Sequence, residues 1–584
     1  MLLEDRMKLI LRDEYPRPNF VREEWLSLNG IWDFSFEKEI YDRSIHVPFT
    51  YETKLSGIEV KDFHETVWYR KSFVLPQSMQ GKKILLHFGA VDYTCRVWVN
   101  DVLVKEHCGG QSSFYADITE AIDENTENTI RIQVKDDHTD FEKPRGKQVW
   151  EKESKSIFYT RTTGIWQSVW LEAVSINHLS KVYITPLLDD KAVKIDYTLE
   201  GCNDLELYSE ISFGGIFVTG ISTRTQSLKG SFTISLEQPA LKAWNFVEDL
   251  TWSPENPRLF DIKFTIRKDG NDEDVVKSYF GMRKVSIHKG MFMLNNRPYY
   301  QKLILDQGYW EDSLMTAPKD EAFIEDILLA KKMGFNGVRK HQKVEDPRFF
   351  YHADRLGLLV WAEIGSAYIY SRTYAIRMMQ EWGEVVLRDY NHPSIVAWTP
   401  LNESWGIQDI NNSKTEQSHS NAMYYLTKSL DNTRVVIDND GWEHTCGDLL
   451  TIHDYEARKE VLENRYESLA SILPSFPCGR PLFAEGWEYK GQPVIVSEFG
   501  GISFQEKQGH GWGYSQATSE QDFLERYHAV VSPMLKSPVV QGFCYTQLTD
   551  VEQETNGLLT YSRIPKIDPQ LIRQVNEGAY RPKE

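Results

Sequence analysis

From about residue 288 the rhythm of the sequence changes, and this change limits the fold more than any other feature. Eight strand-like runs then alternate with helical stretches, near 299–306, 336–341, 358–364, 394–402, 434–438, 449–455, 493–498 and 539–547. In the helical stretch 320–333, Phe323, Ile324, Ile327 and Leu328 share one face, and Gly334 ends it. Eight such units within 288–584 predict a parallel-stranded TIM (β/α)8 barrel. The unit between the fifth and sixth strands is short, and its helix is doubtful.

The chain before this point has a different character. "VWYRKSFVL", "KILLHFGAV", "RVWVNDVLV", "NTIRIQV" and "SVWLEAV" are short runs separated by turns such as Asn100-Asp101 and Gly109-Gly110. They predict a jelly-roll-like β-sandwich over 1–176. The same manner continues through "KVYITPLL", "AVKIDYTL" and "DIKFTIRK", giving a second, immunoglobulin-like sandwich over 177–287.

The formal charge of −19 disfavours nucleic acid and anionic membranes as partners. The 17 Trp and 29 Tyr suit ligands with apolar ring faces and polar edges, as sugars have. The six cysteines show no CxxC spacing, so neither a disulfide framework nor a zinc site is indicated. With no secretory segment at the start and no long apolar run, a cytoplasmic location is expected.

A barrel of this type works at the C-terminal ends of its strands. Reading those ends gives Asp306, then Arg339, Lys340 and His341, Glu363, Asn402 and Glu403, His453 and Tyr455, Glu498, and Tyr545 and Gln547. Two of them, Glu403 in "VAWTPLNESWG" and Glu498 in "VIVSEFGG", end strands on opposite sides of the ring. Two carboxyls facing each other across an aromatic-rich pocket suit glycoside hydrolysis, and a separation of ~5–5.5 Å means retention of configuration. On this reading Arg339 keeps Glu498 ionised, Glu363 supports Arg339, and Trp405 covers Glu403 and raises its pKa. Asp306, Arg339, Lys340, His341, Asn402, His453, Tyr455, Trp512, Tyr545 and Gln547 are the candidates for binding substrate. No metal or other cofactor is required.

These segments resemble glycoside hydrolase family 2, which includes β-galactosidases, β-glucuronidases and β-mannosidases. The likeness rests on "LNGIWDF", "LHFGAVDYTCRVWVND" and "GIWQSVWLE" in the first domain. In the barrel it rests on "GFNGVRKHQKVEDPRFFYHADRLGLLVWAEI", "NHPSIVAWTPLNESWG" and "VIVSEFGG". The resemblance implies Glu403 as general acid/base, Glu498 as nucleophile, Asn402 on the sugar 2-hydroxyl and Tyr455 holding the nucleophile. It sets Tyr545 where relatives often place a tryptophan floor.

Two departures bear on substrate. Leu558 stands where β-glucuronidases carry the lysine of an Asn-x-Lys motif that grips the uronate, which leaves Lys340, Arg339 or Arg563 as cations for a carboxylate. "KLILDQGYW" lacks the Arg-His-Glu of β-galactosidases, so Asp306 and Gln307 offer acceptors for neutral hydroxyls. The expectation is an exo-acting retaining hydrolase of an oligosaccharide or glycoconjugate, able to form a homo-oligomer. Galactoside-like or galacturonide-like glycons come first; glucuronide, mannoside and α-L-arabinoside follow. The competing reading is a non-catalytic carbohydrate-binding protein on the same fold.

Overall fold

A computed structural model describes residues 11–504 and 511–581. The first sandwich pairs a six-stranded with a four-stranded antiparallel sheet. Strict alternation builds it. In strand Glu127–Lys135 the residues Asn128, Ile130, Ile132 and Val134 are buried and their neighbours face outward. The inward set, with Trp32, Phe34, Tyr69, Leu86 and Phe88, forms one apolar core. The second sandwich packs a three-stranded on a four-stranded sheet around Leu207, Ile211, Phe260 and Phe264.

The barrel strands are β1 Gln301–Asp306, β2 Gly337–Lys340, β3 Leu359–Glu363, β4 Ile395–Thr399, β5 Val435–Val436, β6 Leu450–Asp454, β7 Val494–Gly500 and β8 Val540–Thr546. They form one parallel sheet in the order β5-β4-β3-β2-β1-β8-β7-β6. The ladder is open between β5 and β6, where no helix intervenes. The two strands are tied there by the loop after β5: the Asp448 amide donates to the Val436 carbonyl and its carboxylate accepts from the Val436 amide. The three-part architecture of sugar-binding-type sandwich, immunoglobulin-like domain and C-terminal TIM barrel matches the sequence expectation.

The helix expected over 320–333 spans Asp320–Lys332, and Gly334 follows it in the left-handed region. Its buried face carries Ala322, Phe323, Asp326, Ile327 and Ala330, whereas Leu328 is 50% exposed. The expected stripe was thus rotated by about one residue, because Asp326 is drawn inward by an ion pair with Arg563. No helix among the described residues is long and apolar enough to cross a membrane.

Candidate active site

Side chains alternate along a barrel strand between the barrel interior and the layer of outer helices. On β2 this phase sends Arg339 inward and Lys340 outward, and His341, just past the strand, shares the inward phase. Arg339 is fully buried and satisfies three carboxylates at once: Nη2 lies 2.8 Å from Glu363, and Nη1 lies 2.7 Å from both Asp440 and Glu498. Its Nη2 also donates to Asn402 Oδ1 at 2.6 Å. The planar guanidinium therefore fixes the ends of β2, β3, β4 and β7 relative to one another.

Asn402 and Glu403 lie just past β4. Glu403 and Ser404 both have left-handed backbone, with φ of 52° and 58°. Two consecutive non-glycine residues in this region cost energy and persist only where surroundings hold them. The loop after β5 does so: the Asp440 carbonyl accepts from the Glu403 amide, Asn439 Oδ1 from the Ser404 amide, and Glu443 from the Ser404 hydroxyl. The turn aims the Glu403 carboxyl back across the mouth toward Glu498.

His453 stands between the two glutamates. Its Nδ1 is 2.7 Å from Glu403 and 3.5 Å from Glu498, and its Nε2 is 3.0 Å from Asp440. Burial alone would lower its pKa, but the Glu498 and Asp440 carboxylates outweigh burial and raise it to about 10. His453 is thus an imidazolium that donates through both nitrogens. Glu403, His453 and Glu498 each present an atom within 4.8 Å of the others. The same three groups would fit a metal ion, yet Arg339 already gives Glu498 a cationic partner.

Glu498 is 6% exposed at its side chain. Burial pushes its pKa up, but His453 and Arg339, with a smaller part from Lys147, hold it well below the ordinary carboxylate range. Its Oε2 accepts a 2.6 Å hydrogen bond from the Tyr455 hydroxyl. Tyr455 is in turn stacked on Tyr514, with ring centroids 3.5 Å apart. His341 is held neutral by burial, Lys147 and Arg339, and its Nδ1 faces Arg339 Nη2 at 3.1 Å. Burial raises the pKa of Glu363, which accepts from Arg339 and from the Gln342 amide. Trp405 packs against Phe158 of the first sandwich and Tyr368, with ring centroids 5.6 and 5.7 Å away, forming an aromatic wall.

Five expected substrate contacts are committed to other partners. Lys340 and Asp306 form a 2.6 Å ion pair on the outward phase, joined by Glu345, with the ammonium over Phe349 of the helix Pro347–Leu356. Tyr545 also faces outward: it is fully buried and packs on Tyr527 of the helix Glu520–Lys536, so it forms no sugar floor. Gln547 is fully buried in an amide chain, accepting from Gln307 and donating to Asn556. Trp512 sits on the rim, where its Nε1 donates to the Ser156 carbonyl of the first sandwich.

The sequence reading missed Asp440, Tyr514 and Lys147. Asp440 is invisible to a strand-end scan because β5 spans only two residues and the loop beyond carries it. Lys147 comes from a different domain. The loop bearing it is pinned to the barrel: the Gly146 amide donates to the Ser366 carbonyl, and Tyr368 donates to the Gly146 and Gln148 carbonyls.

Three family models match the chain: the glycosyl hydrolases family 2 sugar binding domain over residues 26–173, the family 2 central domain over 177–283 and the family 2 TIM barrel domain over 285–578. A β-galactosidase of Thermoanaerobacter pseudethanolicus is 27% identical over 421 residues, covering 68% of this chain and 53% of that protein. The β-glucuronidase of Rattus norvegicus is 22% identical, covering 94% and 90%. The chain spans about half the length of the first curated relatives it matches, 53% and 47%. Among solved structures, a β-galacturonidase from Eisenbergiella tayi has a TM-score of 0.75 at 18% identity and covers 99% of both chains. A β-D-glucuronidase from Dictyoglomus thermophilum has a TM-score of 0.76 at 19% identity, covering 97% and 100%. With all three of its domains matched in order, and the barrel model alone covering half its length, this chain belongs to glycosyl hydrolase family 2.

Proposed function

We propose that the protein is an exo-acting, retaining O-glycosyl hydrolase that removes one terminal β-linked sugar, with a galactose-like or galacturonate-like glycon. The observation that carries this reading is the spacing of the two acids: a Glu403 and a Glu498 carboxyl oxygen lie within 4.8 Å. That is too close for a water to be activated between them and suits formation of a covalent glycosyl ester, for which ~5–5.5 Å is typical.

Glu498, kept ionised by Arg339 and His453, attacks the anomeric carbon. Glu403 passes a proton to the leaving oxygen, and His453 Nδ1–H, hydrogen-bonded to it, orients its carboxyl. In the second step Glu403 takes a proton from water, which displaces Glu498 and regenerates both groups. As the ester breaks, Arg339 and Tyr455 meet the returning negative charge with hydrogen bonds already aimed at it. Asn402 spends its carbonyl on Arg339, which leaves its amide hydrogens for the 2-hydroxyl. An exo mode is supported by the loop of the first sandwich that reaches over one side of the mouth, tied there through Trp512, Gln553 and Tyr368.

The test is Glu498→Ala. Loss of aryl β-glycoside cleavage, with recovery by azide to give the glycosyl azide of inverted configuration, supports the nucleophile role. Turnover that survives the substitution removes it and favours a site of another kind.

A further inference from the structure

Of the four buried lysines among the described residues, three are tied down. Lys143 pairs with Asp136, Lys340 with Asp306 and Glu345, and Lys343 with Glu345 and two carbonyls. Lys147 is 7% exposed, and its ammonium has no ion pair or hydrogen bond among the described residues. It lies over the face of Tyr159, 5.8 Å from the ring centroid. An ammonium left without an anion asks what partner it could serve.

Its placement points to one. A Cβ on Gly146 would come within 2.2 Å of the Gln342 carbonyl, so the backbone beside Lys147 is pressed against the residue that follows His341 at the mouth of β2. Its positive charge also reaches Glu498, whose pKa it helps to lower. The three cations that the sequence offered for a carboxylate are committed. Arg339 serves Glu363, Asp440 and Glu498, Lys340 faces the outer helices, and Arg563 is held by Asp326 and the Tyr309 carbonyl. Leu558 is buried in the barrel core.

We propose that Lys147, delivered by the first sandwich, is the residue that recognises a carboxylate on the sugar, so that the preferred glycon is a terminal hexuronic acid. This rests on the hydrolase reading above and narrows its substrate. A charge-assisted hydrogen bond in a secluded site favours the acidic over the neutral sugar by a factor of roughly 10 to 100.

The test compares wild type, Lys147→Met and Lys147→Arg on the p-nitrophenyl β-galacturonide and β-glucuronide and on the matching neutral galactoside and glucoside. The expected result is a wild-type preference for uronides in kcat/KM. The uronide-to-hexoside ratio should fall roughly 10- to 100-fold in Lys147→Met, mostly through KM, with part of it retained in Lys147→Arg. A ratio unchanged by Lys147→Met overturns the inference, because the ammonium would then act only through the charge of Glu498. Wild-type cleavage of neutral glycosides with no uronide turnover also overturns it, while leaving the hydrolase reading intact. If no glycoside of either class is cleaved, the hydrolase reading fails. Calorimetry of free D-galacturonate against D-galactose, on wild type and Lys147→Met, then decides the carboxylate contact separately: a Lys147-dependent preference for the acid supports it, and equal binding overturns it.

Discussion

The Asp440 side chain ties the two cations of the site together: its Oδ2 receives both Arg339 Nη1 at 2.7 Å and His453 Nε2 at 3.0 Å. Its Oδ1 is buried without a partner. Asp440→Asn therefore keeps the shape and the accepting oxygen, puts the amide nitrogen where Oδ1 was, and deletes one negative charge. His453 owes its rise from 6.5 to about 10 to Glu498 and Asp440 acting against burial. Because the folded pKa is raised, the stability this proton confers is fully present below pH 6.5 and is lost as pH rises to about 10. Over that window it declines by about 1.4 kcal/mol per pH unit. A charged hydrogen bond contributes ~1.5–3 kcal/mol, so losing Asp440 brings the His453 pKa down by roughly one to two units.

The variant is less stable than wild type at pH 7, and the gap narrows by about 2 kcal/mol by pH 10, where His453 has lost its proton in the variant and is losing it in wild type. For a domain of this size that is a convergence of roughly 4 °C in unfolding midpoint. Calorimetry of both proteins at matched pH values reads this difference, and comparing the pair cancels the other groups that titrate in the range. A gap that stays constant from pH 7 to 10 would refute the charged state of His453 and, with it, the electrostatic account of the site.

Two other substitutions separate roles in the site. Glu403→Gln should depress kcat for unactivated alkyl or sugar leaving groups by at least 100-fold more than for dinitrophenyl glycosides, because only the former need a proton; equal losses would argue against an acid role. Lys340→Met breaks a buried ion pair on the outer side of the barrel wall and should cost about 3–5 kcal/mol of stability. Its KM on the folded enzyme should remain near wild type, whereas a large KM change would return Lys340 to the substrate site.

The fold was legible because periodicity carries it: alternation wrote the sandwiches, and the strand–helix rhythm wrote the barrel. Arg339 was legible for the same reason, since it falls on an inward position at a strand end; the two glutamates were legible from their chemistry near strand ends, because Glu403 lies past β4 and a register shift between Val496 and Phe499 turns Glu498 inward. Lys340, Asp306 and Tyr545 were misassigned by scoring chemistry without phase. Lys340 sits one residue from the inward Arg339, Asp306 shares the phase of the outward Ile304, and Tyr545 that of Phe543, so the period of two already placed all three outside. Asp440 and Lys147 could not be read this way. One lies in an irregular loop and the other arrives from a separate domain, and no local pattern encodes either position.

The stereochemistry of the first product tests the central claim most directly. Proton NMR of a β-glycoside, recorded in the first minutes of hydrolysis before mutarotation, should show the β-anomer of the freed sugar. An α-anomer appearing first would mean that Glu498 never bonds to the sugar, and the two-step account would fail.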